Sequence, residues 1–178
     1  MSRAGENAAT KEGITMLLGE LLDRARLKGL KIKSPFLEAE FSTNDQDADA
    51  AWELYVELLT RVTTQALPAE DGDEAAALAS VHKLFDITRG ILRAPGRRLA
   101  GNFAKLAIVV LNQKVRPFTA RWHKKQLAGE LAKDAPQRAA TAAQFRVDLQ
   151  ALQADLRLYA GLLAEVARVE DLTTLEDD

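Results

Sequence analysis

Apolar residues recur at Ile14, Leu17, Leu18, Leu21, Leu22 and Ala25, the one-sided stripe of an amphipathic helix. The spacing predicts a helix from about Lys11 to Leu27, closed at Gly29. The stretch LKIKSPFLEAEFST then alternates only at Leu30 and Ile32 before Pro35. It reads as an irregular connector over residues 28–43, pinned by Phe36, Leu37 and Phe41. A loop of that length in a compact domain is either packed down or used for something.

A second stripe, Ala48, Ala51, Trp52, Tyr55, Val56, Leu59 and Val62, begins behind Asn44. Asn44 can cap it, with Asp45, Asp47 and Asp49 near the positive end of the helix dipole. After the break ALPAEDGDE a third helix is predicted from roughly Asp73 to Arg93. Leu78, Val81, Phe85, Thr88 and Leu92 lie on one stripe, Leu84, Ile87 and Ile91 on its neighbour, and APG stops it. A fourth starts near Arg97 and holds LAIVVL, apolar on all sides. With no second strand in view to pair with it, a central buried helix is the expectation. Asp134 to Gln137 forms a D-x-x-Q capping pattern with Pro136 in the first turn, opening a fifth helix from about Ala135 to Val169. Along it Phe145, Leu149, Leu152, Leu156, Tyr159, Leu163 and Val166 form a heptad seam.

A helix of about 35 residues is ~50 Å long, and the fourth matches it only by continuing through Pro117 to about Ala128. The predicted fold is therefore all-α: an elongated up-and-down bundle of four to five helices, the last two a long antiparallel hairpin with the shorter ones along it. The fourth helix is proline-kinked and the C-terminal helix is long. One domain is expected over residues 1–178, with 1–9 and 172–178 disordered.

The decapeptide RPFTARWHKK, residues 116–125, combines that kink with aromatics and cations. Leu111, Val115, Phe118 and Trp122 are spaced 4, 3, 4, so the aromatics continue the core stripe across Pro117. Proline removes the N–H that would bond the Gln113 carbonyl and bends the helix, at roughly 3 kcal/mol unless packing compensates. Pro117, Phe118 and Trp122 are thus expected as kink and core. Arg116, Arg121, His123, Lys124 and Lys125 are left as partner-binding candidates.

Composition narrows the chemistry. Apolar residues make up 47% and aromatics only 6%, so the core must be mostly Leu, Val and Ala. The absence of cysteine excludes disulfides, thiolate nucleophiles and Cys-based metal sites, and fits a reducing, cytoplasmic setting. The N-terminal residues lack the apolar core of a signal peptide, and the longest strictly apolar run, Leu106 to Leu111, is far short of the ~20 residues that span a bilayer. A membrane protein is not expected. The two histidines, His82 and His123, show no metal-ligand spacing, and the P-loop, dinucleotide and nucleophile-elbow motifs are missing. Glu53 and Glu57 read as a solvated helix face. The expectation is a non-enzyme without a cofactor or metal.

The net charge of −2 conceals a strong asymmetry. Ser34 to Asp86 carries twelve acids against Arg61 and Lys83, whereas Ile87 to Gly129 carries ten cations and no acid. Either the two blocks neutralise one another along the bundle, or they form opposite faces, one of them suited to phosphate or an acidic partner. A protein partner is expected first. Nucleic-acid binding by the 87–129 segment is the alternative, disfavoured by a pI of 5.8. The heptad seam also offers a route to a homodimer.

LNQKVRPFTARWHKK, followed by FRVDLQALQADLRLYAGLLAEVARVEDLT, resembles a pattern of small all-helical bacterial proteins, N-x-x-x-R-P-F-x-x-x-W-H before F-R-x-x-L-x-x-L. It covers residues 99–173 and singles out Asn112, Arg116, Pro117, Phe118, Trp122, His123, Phe145 and Arg146. What the resemblance implies is a role beside bacterial defence systems; it brings no activity with it.

Overall fold

The computed structural model describes residues 15–17, 40–42, 44–68, 72–94, 96 and 100–174. Helix α1 (Asp45–Leu59) opens on its predicted cap. The Asn44 side chain accepts from the Asp47 N–H at 2.8 Å while the Asp47 carboxylate accepts from the Asn44 N–H, a reciprocal capping box. Helix α2 (Glu74–Arg93) is capped by Asp73, which accepts from the Ala76 N–H at 2.8 Å. Helix α3 (Gly101–Val110) passes through a π turn, Leu111–Val115, directly into α4 (Arg116–Leu127). Past α4, Gly129 takes φ 76°, and the Glu130 and Gly129 N–H groups return to the Lys125 and Gln126 carbonyls, a Schellman ending. The long C-terminal helix α5 (Arg138–Ala167) closes on Arg168 in the left-handed region.

Among the described residues the fold is all-α apart from two three-residue strands, β1 (Thr15–Leu17) and β2 (Glu40–Ser42), paired antiparallel with Met16 opposite Phe41. This corrects the predicted Lys11–Leu27 helix at Thr15–Leu17 and the irregular connector at Glu40–Ser42. A short apolar run does not distinguish helix from strand, and here cross-strand bonding satisfies the backbone. The rest of both predictions, and residues 1–9, lie outside the described residues.

One core runs the length of the bundle. Every residue of the predicted seam from Phe145 to Val166 is buried within the chain, so dimerisation through that seam would have to displace the chain's own packing. The principal neighbour of α5 is α1 rather than α4, which corrects the expected hairpin of the last two helices. The buried face of α1 is Asp47, Ala50, Ala51, Leu54, Tyr55 and Leu58, one residue out of register with the predicted stripe, so Trp52 is 46% exposed. Ile108 is 48% exposed, so the LAIVVL helix is not buried all round. Asp134 does not cap α5. The Arg138 N–H turns back to the Ala135 carbonyl, and the helix begins three residues later than expected with no side-chain cap.

Residues 172–174, expected to be disordered, form a 3₁₀ turn held against Tyr55. The Tyr55 hydroxyl donates to the Glu170 carbonyl at 3.2 Å and accepts from the Leu172 N–H at 2.6 Å. Tyr159 is the opposite case: its hydroxyl is buried without a hydrogen-bond partner, and burial pushes its pKa up. Two conservative substitutions should therefore move stability in opposite directions. In urea denaturation, Tyr55→Phe is expected to lose about 1–2 kcal/mol, and Tyr159→Phe to gain up to about 1 kcal/mol by removing a desolvated hydroxyl. Losses of equal size in both would contradict this reading.

Candidate functional site

The inner edge of α4 is core. Trp122 is fully buried and Phe118 nearly so, and both rings meet Phe145 of α5 edge-on, with centroids 4.9 and 5.5 Å away. The indole N–H donates to Asp148 Oδ2 at 3.2 Å, so this large side chain is buried with its polar atom satisfied. The irregularity next to Pro117 is a π turn rather than a simple proline break: the Arg116 N–H reaches back five residues to the Leu111 carbonyl. A π turn accommodates one extra residue and places Pro117 in the first turn of α4, where a missing N–H is tolerated. The Thr119 hydroxyl donates back to the Val115 carbonyl at 3.1 Å, so this buried polar group is satisfied within its own helix.

The five predicted partner-binding side chains do not converge. Arg121 turns to α5 and pairs with Asp148 at 2.7 Å. Lys125 pairs with Glu130 at 2.9 Å, its ammonium 5.3 Å from the Trp122 ring centre. Lys124 is exposed. Arg116 and His123 instead face α2, where they meet residues the sequence reading did not join to them.

That meeting point is organised on Phe85. The Arg116 and Arg89 guanidinium carbons lie 5.2 and 5.8 Å from its ring centre, within cation–π range, and the His82 ring is 5.7 Å away. His82 and His123 stand edge to face with centroids 4.8 Å apart. Arg89 is steadied by Asp86 at 2.8 Å and Arg116 by Asn112 at 3.0 Å. Among the described residues neither imidazole has a hydrogen-bond partner, so their ring nitrogens stay open. Burial, and then the neighbouring His82, hold the His123 pKa below the ordinary histidine value. The available signal was spacing: residues 82, 85 and 89 share one face of α2, and residues 116 and 123 one face of α4. Periodicity does not say which two faces meet.

Comparison with family models, with curated proteins and with solved structures finds no match.

Among the described residues the two charge blocks meet directly at Asp86 and Arg89 and are also bridged by α5. Lys114 and Arg121 of the basic block pair with Asp155 and Asp148, while Glu74 of the acidic block takes Arg138 and Arg146. Arg146 also donates to the Leu67 and Pro68 carbonyls, which makes the arginine of the F-R pair a clamp on the loop before α2. A groove of about 300 Å³ between the π turn and α5 is lined by those paired charges and Phe118. Among the described residues there is no group of three or more His, Asp or Glu side chains placed to hold a metal, and no helix long and apolar enough to cross a membrane.

Proposed function

We propose that the protein is a non-catalytic interaction module whose α2–α4 face binds an acidic protein partner. The observation that carries this is the Phe85 cluster, where the exposed Arg89, Arg116 and His82 lie against one nearly buried aromatic ring and His123 joins them through His82. An aromatic floor with arginines over it is a favourable anchor in a binding surface. We place the module in the bacterial cytoplasm, in the defence setting that the sequence pattern suggests.

Affinity capture from the native host tests the proposal. Wild-type protein is expected to recover a stoichiometric partner, and Arg89→Gln/Arg116→Gln to reduce recovery about tenfold, the loss of roughly two exposed charge contacts. Equal recovery by both proteins, or no stoichiometric partner, counts against it. Nucleic-acid binding is the competing reading of the same cations. It requires affinity for DNA or RNA that falls steeply between low and moderate salt.

A further inference from the structure

Two guanidiniums lie against Phe85 beside the pair His82 and His123, a group rich in hydrogen-bond donors. His82 and Arg89 come from α2, Arg116 and His123 from α4; Phe85 meets His82, Arg89 and Arg116, and His123 joins through His82. The charged groups within a turn of the histidines are Lys83 and Asp86 on α2 and Arg121, Lys124 and Lys125 on α4. Asp86 is the acid nearest the cluster in its own helix, and it is engaged with Arg89; across α4, Asp148 of α5 is engaged with Arg121, and Glu130 with Lys125. Arg116 uses its Nε on Asn112, leaving its terminal nitrogens for a ligand.

Resting on the reading that this face binds a partner, we propose that His82, His123, Arg89 and Arg116 form a site for a phosphate monoester carried by a phosphorylated protein. A carboxylate offers two oxygens and one charge. A phosphate monoester offers three acceptor oxygens and a charge near −2, which matches a cluster with two fixed cations and two imidazole N–H donors. Guanidiniums suit planar, two-point recognition of phosphate oxygens. The Phe85 ring beneath them limits access of water on one side, strengthening each contact.

A proton accompanies the ligand. Burial and the neighbouring His82 ring disfavour a charged His123 in the free protein, whereas a bound dianion favours it, so binding draws a proton onto His123. Affinity should then rise as pH falls from about 8 to about 6.5 and level off below that, where the phosphate itself begins to protonate near pH ~6.

The test is an NMR titration of the full chain, following the two imidazoles, with a phosphoserine peptide, its unphosphorylated form, inorganic phosphate and a short DNA strand. The phosphopeptide is expected to perturb both rings, raise the His123 titration midpoint, and bind about threefold or more tightly at pH ~6.5 than at pH ~8. His123→Gln should flatten that pH dependence while retaining binding, and Arg116→Gln should weaken binding about tenfold at both pH values. Equal binding of the unphosphorylated peptide or of DNA would overturn the inference. So would inorganic phosphate binding where the phosphopeptide does not, or imidazoles unmoved by either. If partner capture depended on Arg89 and Arg116 while phosphate left the rings unmoved, the interaction surface would stand and the phosphate inference would fall.

Discussion

Replacing Asp47 with alanine is expected to lower the free energy of unfolding by about 3 kcal/mol, among the largest effects of any polar substitution in the chain. Asp47 is fully buried in the first turn of α1. Its Oδ1 accepts from the Asn102 and Phe103 N–H groups at 3.1 and 2.9 Å, and its Oδ2 from the Asn44 N–H. Helix α3 has no side-chain cap of its own, so a carboxylate 55 residues earlier in the sequence caps it from across the bundle. The same negative charge sits at the positive ends of two helix dipoles. Alanine would leave several buried N–H groups without acceptors, each worth about 1–3 kcal/mol. Asparagine keeps one acceptor and should cost less, about 1–2 kcal/mol. Urea denaturation reads both, and an alanine variant within about 0.5 kcal/mol of wild type would refute the cross-helix cap.

Glu74 should be as sensitive, and sensitive to pH as well. Its side chain is 3% exposed between Arg146, 2.9 Å away, and Arg138, itself left with one buried nitrogen lacking an acceptor. Replacing a buried pair by apolar groups can be neutral, but removing one partner leaves buried charge uncompensated, and Glu74→Ala is expected to lose about 3–5 kcal/mol. Burial alone would raise the Glu74 pKa. The hydrogen bonds from Arg138, its own backbone N–H and Arg146, with the Arg138 charge, outweigh burial and hold it below the ordinary carboxylate value. The sign follows: the unfolded chain takes up the proton first as pH falls. The contribution of Glu74 is complete above the unfolded carboxyl pKa of about 4.3 and is lost as pH drops through the lower folded value. Wild-type stability should therefore fall below pH ~4.5 more steeply than that of Glu74→Gln. Parallel pH profiles for the two proteins would show that the carboxylate is not held in this way.

What the sequence made legible was local. Asn44 and Asp73 cap where their side-chain chemistry says they should, the Phe145–Val166 seam is buried, and Phe118 and Trp122 point inward. These follow from periodicity and short-range hydrogen bonding. What escaped was set by partners distant in the chain. In the sequence Asp47 reads only as a charge favouring the helix dipole, yet it accepts from three backbone N–H groups and is buried, and the buried face of α1 lies one residue from the predicted stripe. The π turn is invisible because α and π hydrogen bonding leave similar apolar spacing over five residues. His82 and His123 are 41 positions apart, and only the packing of α2 on α4 brings their rings within 4.8 Å.

On the proposed reading α4 divides its labour: Phe118 and Trp122 hold the bundle, while Arg116, with Arg89 of α2, is offered to a partner. The most direct measurement is urea denaturation of Arg89→Gln/Arg116→Gln beside its capture experiment. The account predicts a stability loss of about 1 kcal/mol, the scale of exposed cation–π contacts, together with loss of the partner. A stability loss above about 3 kcal/mol with partner recovery unchanged would show that the arginines belong to the fold instead.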